Sequence, residues 1–330
     1  MSKILFRADA NPSIGTGDLV SLIHLSQYFE KKGWETHFII REYKSGLLLA
    51  EKYRLGNVKV LPHSIAASQE VEAINQYIEL NNIKVIVMEI TERPLSEYEG
   101  ITDQAVRACV CFDALIPRHL DLVVNWDVTA PTLYEKSPFS KTKFLLGSEY
   151  VILPMEFDYG RIEQRVYRET RDKLLIAMGG ADELNFTQKV VDVLIQNAIA
   201  MELKIIIGSG YEYRYELEKS LDASPLRYEI KQNVTHMFDE YMQCDIAIGA
   251  GGLTSYELVA TRTPAILIAT YEHQIARCIY FEKAGWALYH GFRKVSPSAL
   301  LEGLQQPILR ERGPYFNGCE KIYEAVASCR

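Results

Sequence analysis

The chain has 330 residues, too many for one hydrophobic core and suited to two domains of roughly 150 residues each. With 48% hydrophobic and 24% charged residues it has the composition of a globular protein, and no apolar run approaches the roughly 18 residues needed to cross a bilayer. A net charge of −7 argues against nucleic acid as the main partner, because neutralising phosphates needs clustered Lys and Arg. The start, Met1 to Arg7, lacks the apolar core of a signal peptide, and the six cysteines form no C-x-x-C. Both features lead us to expect a reducing, cytoplasmic setting.

Short apolar runs rich in β-branched residues alternate with segments of helical period. In the first half the pattern predicts strands at Lys3–Arg7, Thr36–Ile40, Val58–Leu61, Val85–Glu89, Cys109–Asp113 and Asp121–Asn125. It predicts helices at Asp18–Lys32, Gln69–Asn81 and Ser96–Arg107. The first helix carries Leu19, Leu22, Ile23, Ser26 and Phe29 on one stripe, which leaves His24 on its polar side. Alternation lapses between about Asn125 and Thr170, where Pro131, Pro138 and Pro154 punctuate polar sequence. There the chain is expected to cross from a domain of residues 1–150 to one of residues 151–330, whose last helix could pack back on the first domain. Arg161, Arg165, Arg168 and Arg171 fit one solvated face of a linker helix.

The pattern then restarts. Strands are expected at Lys173–Met178, Lys204–Gly208, Leu226–Ile230, Ile246–Ile248 and Pro264–Ala269. Helices are expected at Asn185–Ala200, Glu212–Leu221, Val234–Gln243, Leu253–Thr261, His273–Ala284, Pro297–Leu304 and Cys319–Ser328. Strands alternating with helices imply βαβ units, parallel sheets and two Rossmann-like α/β domains.

Three glycine-rich loops follow strands and precede helices: Ile14–Asp18, Met178–Asn185 and Gly249–Glu257. In open α/β sheets ligands bind outside the carboxyl ends of the strands, so all three are candidate site loops, and they would line an interdomain cleft if the halves face each other. The third is the most informative. Its glycines allow close backbone approach, and the first N–H groups of the helix at Leu253 lack internal partners and attract a phosphate or pyrophosphate. Glu257, one turn in, would reach a ribose. The same loop could also be a tight turn that binds nothing. None of the three is a G-x-G-x-x-G fingerprint, and no G-K-[ST] occurs.

Phe6-Arg7-Ala8-Asp9-Ala10 with Ile14-Gly15-Thr16-Gly17, Tyr150-Val151-Ile152-Leu153-Pro154, Ala177–Asp182, Gly249–Glu257 and Tyr271-Glu272-His273-Gln274 follow in this order. In order and spacing they resemble the PseG/SpsG family: the UDP-sugar hydrolase of pseudaminic acid synthesis and the spore-coat polysaccharide protein. That family in turn resembles MurG-type glycosyltransferases of the GT-B fold. The resemblance implies two Rossmann-like domains and a UDP-sugar between them. It assigns the diphosphate to Thr254 and the backbone of Gly251, Gly252 and Leu253, the ribose to Glu257, and the uracil to the backbone near Val234. Gly15, Gly17, Gly179, His273 and Gln274 become the expected sugar contacts. No metal or other cofactor is expected, because helix N-termini would stabilise the leaving diphosphate.

Three positions depart from the family pattern. The histidine that follows the first glycine loop is Asp18, the D-H-Y stretch after the fourth strand is replaced by Glu89-Ile90-Thr91, and the Asn of an Asn-Gln pair is His273. Asp18 reads either as the cap of its helix or as a base with a pKa raised by burial. His273 reads as a sugar contact or a solvated loop residue, Asp9 as a turn stabiliser or a catalytic carboxylate, and Glu89 as a solvated strand end or a further site carboxylate. Three functions are consistent with this pattern: a hydrolase that releases UDP from an amino-sugar, a glycosyltransferase with the same donor, and a nucleotide-sugar binder or partner protein in glycan assembly.

Overall fold

The computed structural model describes all residues except 12, 112–119, 134–140, 158, 169, 209, 307–312 and 330. It divides into two compact units, one of Met1–Met155 with Phe316–Arg330 and one of Glu156–Tyr315. In the first, the order is β1 (Lys3–Ala8), α1 (Gly17–Lys31), β2 (Glu35–Arg41), α2 (Lys44–Lys52), β3 (Val58–Leu61), α3 (Ala67–Asn81), β4 (Val85–Glu89), β5 (Val106–Val110), β6 (Leu122–Asn125), α4 (Ala130–Leu133) and β7 (Lys143–Leu146). The second runs α5 (Tyr159–Ile162), β8 (Lys173–Ala177), α6 (Phe186–Gln196), β9 (Glu202–Ile207), α7 (Arg214–Asp222), β10 (Tyr228–Gln232), α8 (Met237–Met242), β11 (Ile246–Ala250), α9 (Leu253–Ala260), β12 (Ala265–Ala269), α10 (Ile275–Lys283), β13 (Leu288–Phe292) and α11 (Pro297–Gln305). The closing helix α12 (Gly318–Ser328) belongs to the first unit, where Tyr323 packs edge-on against Phe29 and Trp34.

Both sheets are parallel and doubly wound. The first has seven strands in the order β3-β2-β1-β4-β5-β6-β7, and the second six in the order β10-β9-β8-β11-β12-β13. Each therefore reverses its direction of growth once, between β1 and β4 and between β8 and β11. Helices cover both faces, so central strands read as continuous apolar runs; every residue of β4, β11 and β12 is buried. One core cluster joins Leu5, Ile39, Ile74, Ile86, Met88 and Tyr98, with Cys109 and Cys111 buried in it. Another joins Leu174, Ile176, Val190, Ile205, Ile248 and Ile266. Among the described residues, no helix is long and apolar enough to cross a membrane.

Several expectations are corrected. Ser96–Arg107 is not a helix: Leu95–Tyr98 makes one tight turn, Gly100 follows, and the chain extends into β5. The strand expected at Cys109–Asp113 begins three residues earlier, and Asp113 lies outside the described residues. The stretch read as a bare crossover contains β7, which pairs with β6. The four arginines do not share a solvated helix face, since α5 ends at Ile162. Arg165 is buried and donates to the carbonyls of Tyr241, Cys244 and Thr261, and Arg171 donates to those of Leu304 and Gln306. His24 is buried against Tyr53, and burial pushes its imidazole down to about 4.

Candidate functional site

Ligands in doubly wound sheets bind outside the carboxyl ends of the strands where the strand order reverses. In the second unit that place is the end of β11 beside β8. The strand ends in Gly249-Ala250-Gly251-Gly252, and α9 opens at Leu253. These glycines have different jobs. A Cβ on Gly249 would lie 2.7 Å from Leu258 Cδ1, and one on Gly251 would lie 2.6 Å from Cys278 Sγ, so both are set by helix packing. The Gly251 N–H is also spent, on the Ile268 carbonyl, so the expectation that it holds a diphosphate is corrected. Gly252 is different: its nearest neighbour would be Gln274 Nε2 at 3.5 Å, with nothing closer. The donors left at this turn are the first N–H groups of α9, at Leu253 and Thr254, with the positive end of the helix dipole behind them.

Gln274 is buried, and its Oε1 accepts from the N–H groups of Thr270 and Tyr271 and from the Thr270 hydroxyl. Its carbonyl thus pins the loop after β12, and only its Nε2 faces Gly252. His273 is exposed and stacks on Tyr271, with ring centroids 5.9 Å apart. Gly179 takes a φ of +95°, which favours glycine, and lies exposed after β8. Beside it Asp182 is committed to capping α6, through the N–H groups of Phe186 and Thr187.

Glu257, half-buried on the first turn of α9, is held by a residue that sequence reading missed. The fully buried Tyr241 of α8 donates its hydroxyl to Glu257 Oε2 at 2.7 Å, and the Thr254 side chain bonds to the same phenol. Burial raises the Glu257 carboxyl to about 7, against the Tyr241 hydrogen bond that lowers it, and the Glu156 charge pushes the same way as burial. Glu156 itself accepts from the Phe238 N–H and pairs with His236 at 2.8 Å. Val234 is half-buried in the loop before α8, just after Asn233, whose φ is +57°.

In the first unit the reversal lies between β1 and β4, where Ala8 pairs with Glu89. The loop after β1 folds back on itself: Asn11 and Gly15 exchange backbone hydrogen bonds, and Asn11 Oδ1 accepts from the Ser13 and Ile14 N–H groups. Gly15 (φ +75°) and Gly17 are exposed there. Asp18 does not cap α1. It is the second helical residue, behind Thr16 in the cap position, and its Oδ2 accepts instead from the Thr91 hydroxyl at 2.7 Å. Burial raises its carboxyl to about 6; Thr91 pulls it down, and the charges of Asp9 and Glu92 add to the rise.

Two carboxylates read as ordinary loop or strand-end residues are neither. Asp9 is buried and accepts from Arg7 Nη2 and Arg41 Nε, both at 2.7 Å, and from the Arg41 N–H. Arg7 continues to Glu70, which also holds Arg93, and Arg41 continues to Glu92, which holds Asn11. This ion network anchors the floor of the glycine loop and keeps Asp9 ionised, with its pKa below the usual value. Glu89, expected as a solvated strand end, is 2% exposed and its Oε2 has no hydrogen-bond partner.

Residues 174–317 match the glycosyltransferase family 28 C-terminal domain, a span that contains β11, α9 and Glu257. The spore coat polysaccharide biosynthesis protein SpsG of Bacillus subtilis is 23% identical over 71% of this chain and 69% of its own. An uncharacterised protein of Methanocaldococcus jannaschii is 24% identical over 84% of this chain, which spans 57% of that relative's length. Among solved structures, MurG of Acinetobacter baumannii superposes with a TM-score of 0.69 at 12% identity, covering 99% of this chain and 100% of that one. The chain accordingly has the GT-B fold of MurG, its residues 174–317 match the glycosyltransferase family 28 C-terminal domain, and over most of its length it is similar to SpsG.

Proposed function

We propose that this chain is a nucleotide-sugar enzyme of surface-glycan or nonulosonic acid synthesis that breaks the bond between the anomeric carbon and the diphosphate, releasing UDP. The observation that carries the reading is the β11–α9 turn at the strand-order reversal. There two first-turn N–H groups stand beside a carboxylate held in place by a buried phenol. The N–H groups of Leu253 and Thr254 suit the diphosphate, and Glu257 suits the ribose hydroxyls. The backbone near Val234, in the half-buried loop before α8, suits a base, and Gln274 Nε2 offers a further donor near Gly252. Gly15, Gly17 and Gly179 carry no side chain to block a sugar, and His273 is an exposed imidazole stacked on Tyr271 that suits a sugar contact.

Asp18 is the base. Water attacks the anomeric carbon, Asp18 takes its proton, and the electrons of the C–O bond leave with UDP. A carboxyl raised to about 6 is ionised at neutral pH yet more basic than a solvated aspartate. A second reading has an acceptor hydroxyl in place of water. The family 28 domain, named for glycosyltransferases, and the carboxylate at the position of the family's histidine favour it.

The test is thermal melting with and without about millimolar UDP, GDP, CDP and ADP, since a ligand of the folded state raises the midpoint. A rise with UDP is expected, followed by UDP release from a UDP-amino-sugar alone (hydrolysis) or only with an acceptor (transfer). No rise with any nucleotide would overturn the reading.

A further inference from the structure

Glu89 has no place in the chemistry so far, and its surroundings are unusual. It ends β4, beside Ala8 of β1, at the strand-order reversal that also holds Asp18. It is 2% exposed, and its Oε2 is buried without a hydrogen-bond partner. None of the ion pairs among the described residues includes it. The nearest arginine on β1, Arg7, is committed to Asp9 and Glu70, and Arg41 to Asp9 and Glu92. The titratable groups that face it are Asp18 from α1 and the Cys111 thiol just after β5; neither supplies positive charge. A carboxylate in such a place would be a buried charge with no counter-ion among the described residues and a like charge beside it, which costs far more than a neutral acid.

We infer that Glu89 is an undissociated carboxylic acid that forms one acid–base pair with Asp18, the pair carrying a single negative charge on Asp18. Burial and the Asp18 charge both push the Glu89 carboxyl well above its ordinary value, in keeping with this. Glu89 is then a positioning residue. By staying neutral it leaves Asp18 free to ionise near neutrality, whereas a charged Glu89 would hold the proton on Asp18 and silence the base. The inference rests on the reading of Asp18 as base, and it extends the site to a residue two positions before Thr91.

The experiment is infrared difference spectroscopy of the full chain, titrated from about pH 5 to about pH 9, with E89Q and D18N alongside. A carbonyl band of a protonated buried carboxyl is expected in the wild type at neutral pH, absent from E89Q, and lost at lower pH in D18N than in the wild type. Put as signs, removing the Asp18 charge must lower the Glu89 midpoint. No such band at neutral pH in the wild type, or a midpoint that D18N leaves in place, overturns the inference. The wild-type titration and D18N decide it even if E89Q does not fold. Melting supplies a second readout: Glu89 ionises in the unfolded chain before it does in the folded one, so the wild type loses stability as pH rises from about 4.5 to the folded Glu89 midpoint, E89Q should gain on it over that window, and parallel curves would count against a buried neutral Glu89. The two readings fail separately. A band with full UDP release in D18N removes Asp18 as base and leaves Glu89 neutral, whereas no band with inactive D18N does the opposite.

Discussion

The Thr91 hydroxyl donates to the Asp18 carboxylate at 2.7 Å across 73 residues of sequence. Asp18 lies in the first turn of α1 after β1 and Thr91 follows β4, the two strands at the strand-order reversal, and the short hydroxyl stabilises the charged form of the carboxylate.

Removing that donor should make Asp18 harder to ionise. In Thr91→Val we expect the Asp18 midpoint to rise from about 6. Because Thr91 is exposed, solvent limits the rise to about one pH unit or less. Carboxyl carbon NMR shifts of Asp18 against pH would show it, and an unchanged midpoint would remove Thr91 from the site.

Glu257 links affinity to pH. Glu257→Ala should weaken UDP binding by about 1–2 kcal/mol, the loss of a hydrogen bond to a charged group. Tyr241→Phe, which leaves the carboxylate but not its orientation, should weaken it less. The carboxyl is raised from 4.5 to about 7 in the folded chain. UDP affinity should therefore climb as pH rises through about 7, while the ligand-free chain loses stability between about 4.5 and about 7, since a raised acid stabilises fully only below its unfolded value. Calorimetry at several pH values checks the first, and melting of Glu257→Gln, which should flatten the slope, checks the second.

The glycines separate packing from binding. Gly251→Ala puts a Cβ 2.6 Å from Cys278 Sγ and should cost about 1–3 kcal/mol of stability with or without ligand. Gly252→Ala meets nothing within 3.5 Å and should melt like the parent. If the turn holds a diphosphate, that variant should nonetheless lose part of the UDP-induced rise. A full rise in Gly252→Ala would remove the backbone from the proposed phosphate grip.

Asp9→Asn should destabilise by about 3–5 kcal/mol, because it leaves Arg7 and Arg41 buried with half their partners. The Asp9 carboxyl lies below its ordinary 3.8 when folded, so its contribution is complete above that value and disappears as pH falls through the folded midpoint. Acid unfolding of the two chains should converge accordingly, and a mild, pH-independent loss would contradict the network.

Strands were the most legible part of the sequence. Val85–Glu89 is found as expected because a strand buried on both faces is an unbroken apolar run, whereas Val58–Leu61, an edge strand buried only at Leu61, was legible through its β-branched valines. β13 was not legible, since its half-buried Leu-Tyr-His-Gly-Phe contains a glycine at φ +136° and a shift in register. Nor was α2, where Leu47 and Leu48 are exposed and Gly46 sits in the first turn. At the sites, the loops announced themselves through glycine. Their supports did not: Tyr241 looks like any helical aromatic until α8 is laid against α9, and the partners of Arg7 come from α3 and from the loop just after its own strand. His24 was misread because one stripe was assumed to meet the core, whereas Tyr53, just after α2, covers a second side of α1.

The return of α12 to the first unit has a consequence for biosynthesis. A ribosome delivers every residue of the Glu156–Tyr315 unit before the last helix exists, so that unit can finish folding while its neighbour still lacks the partner of Phe29 and Trp34. The unit that begins first is completed last, and a nascent chain stalled before α12 would carry a finished Glu156–Tyr315 unit and an unsealed first one.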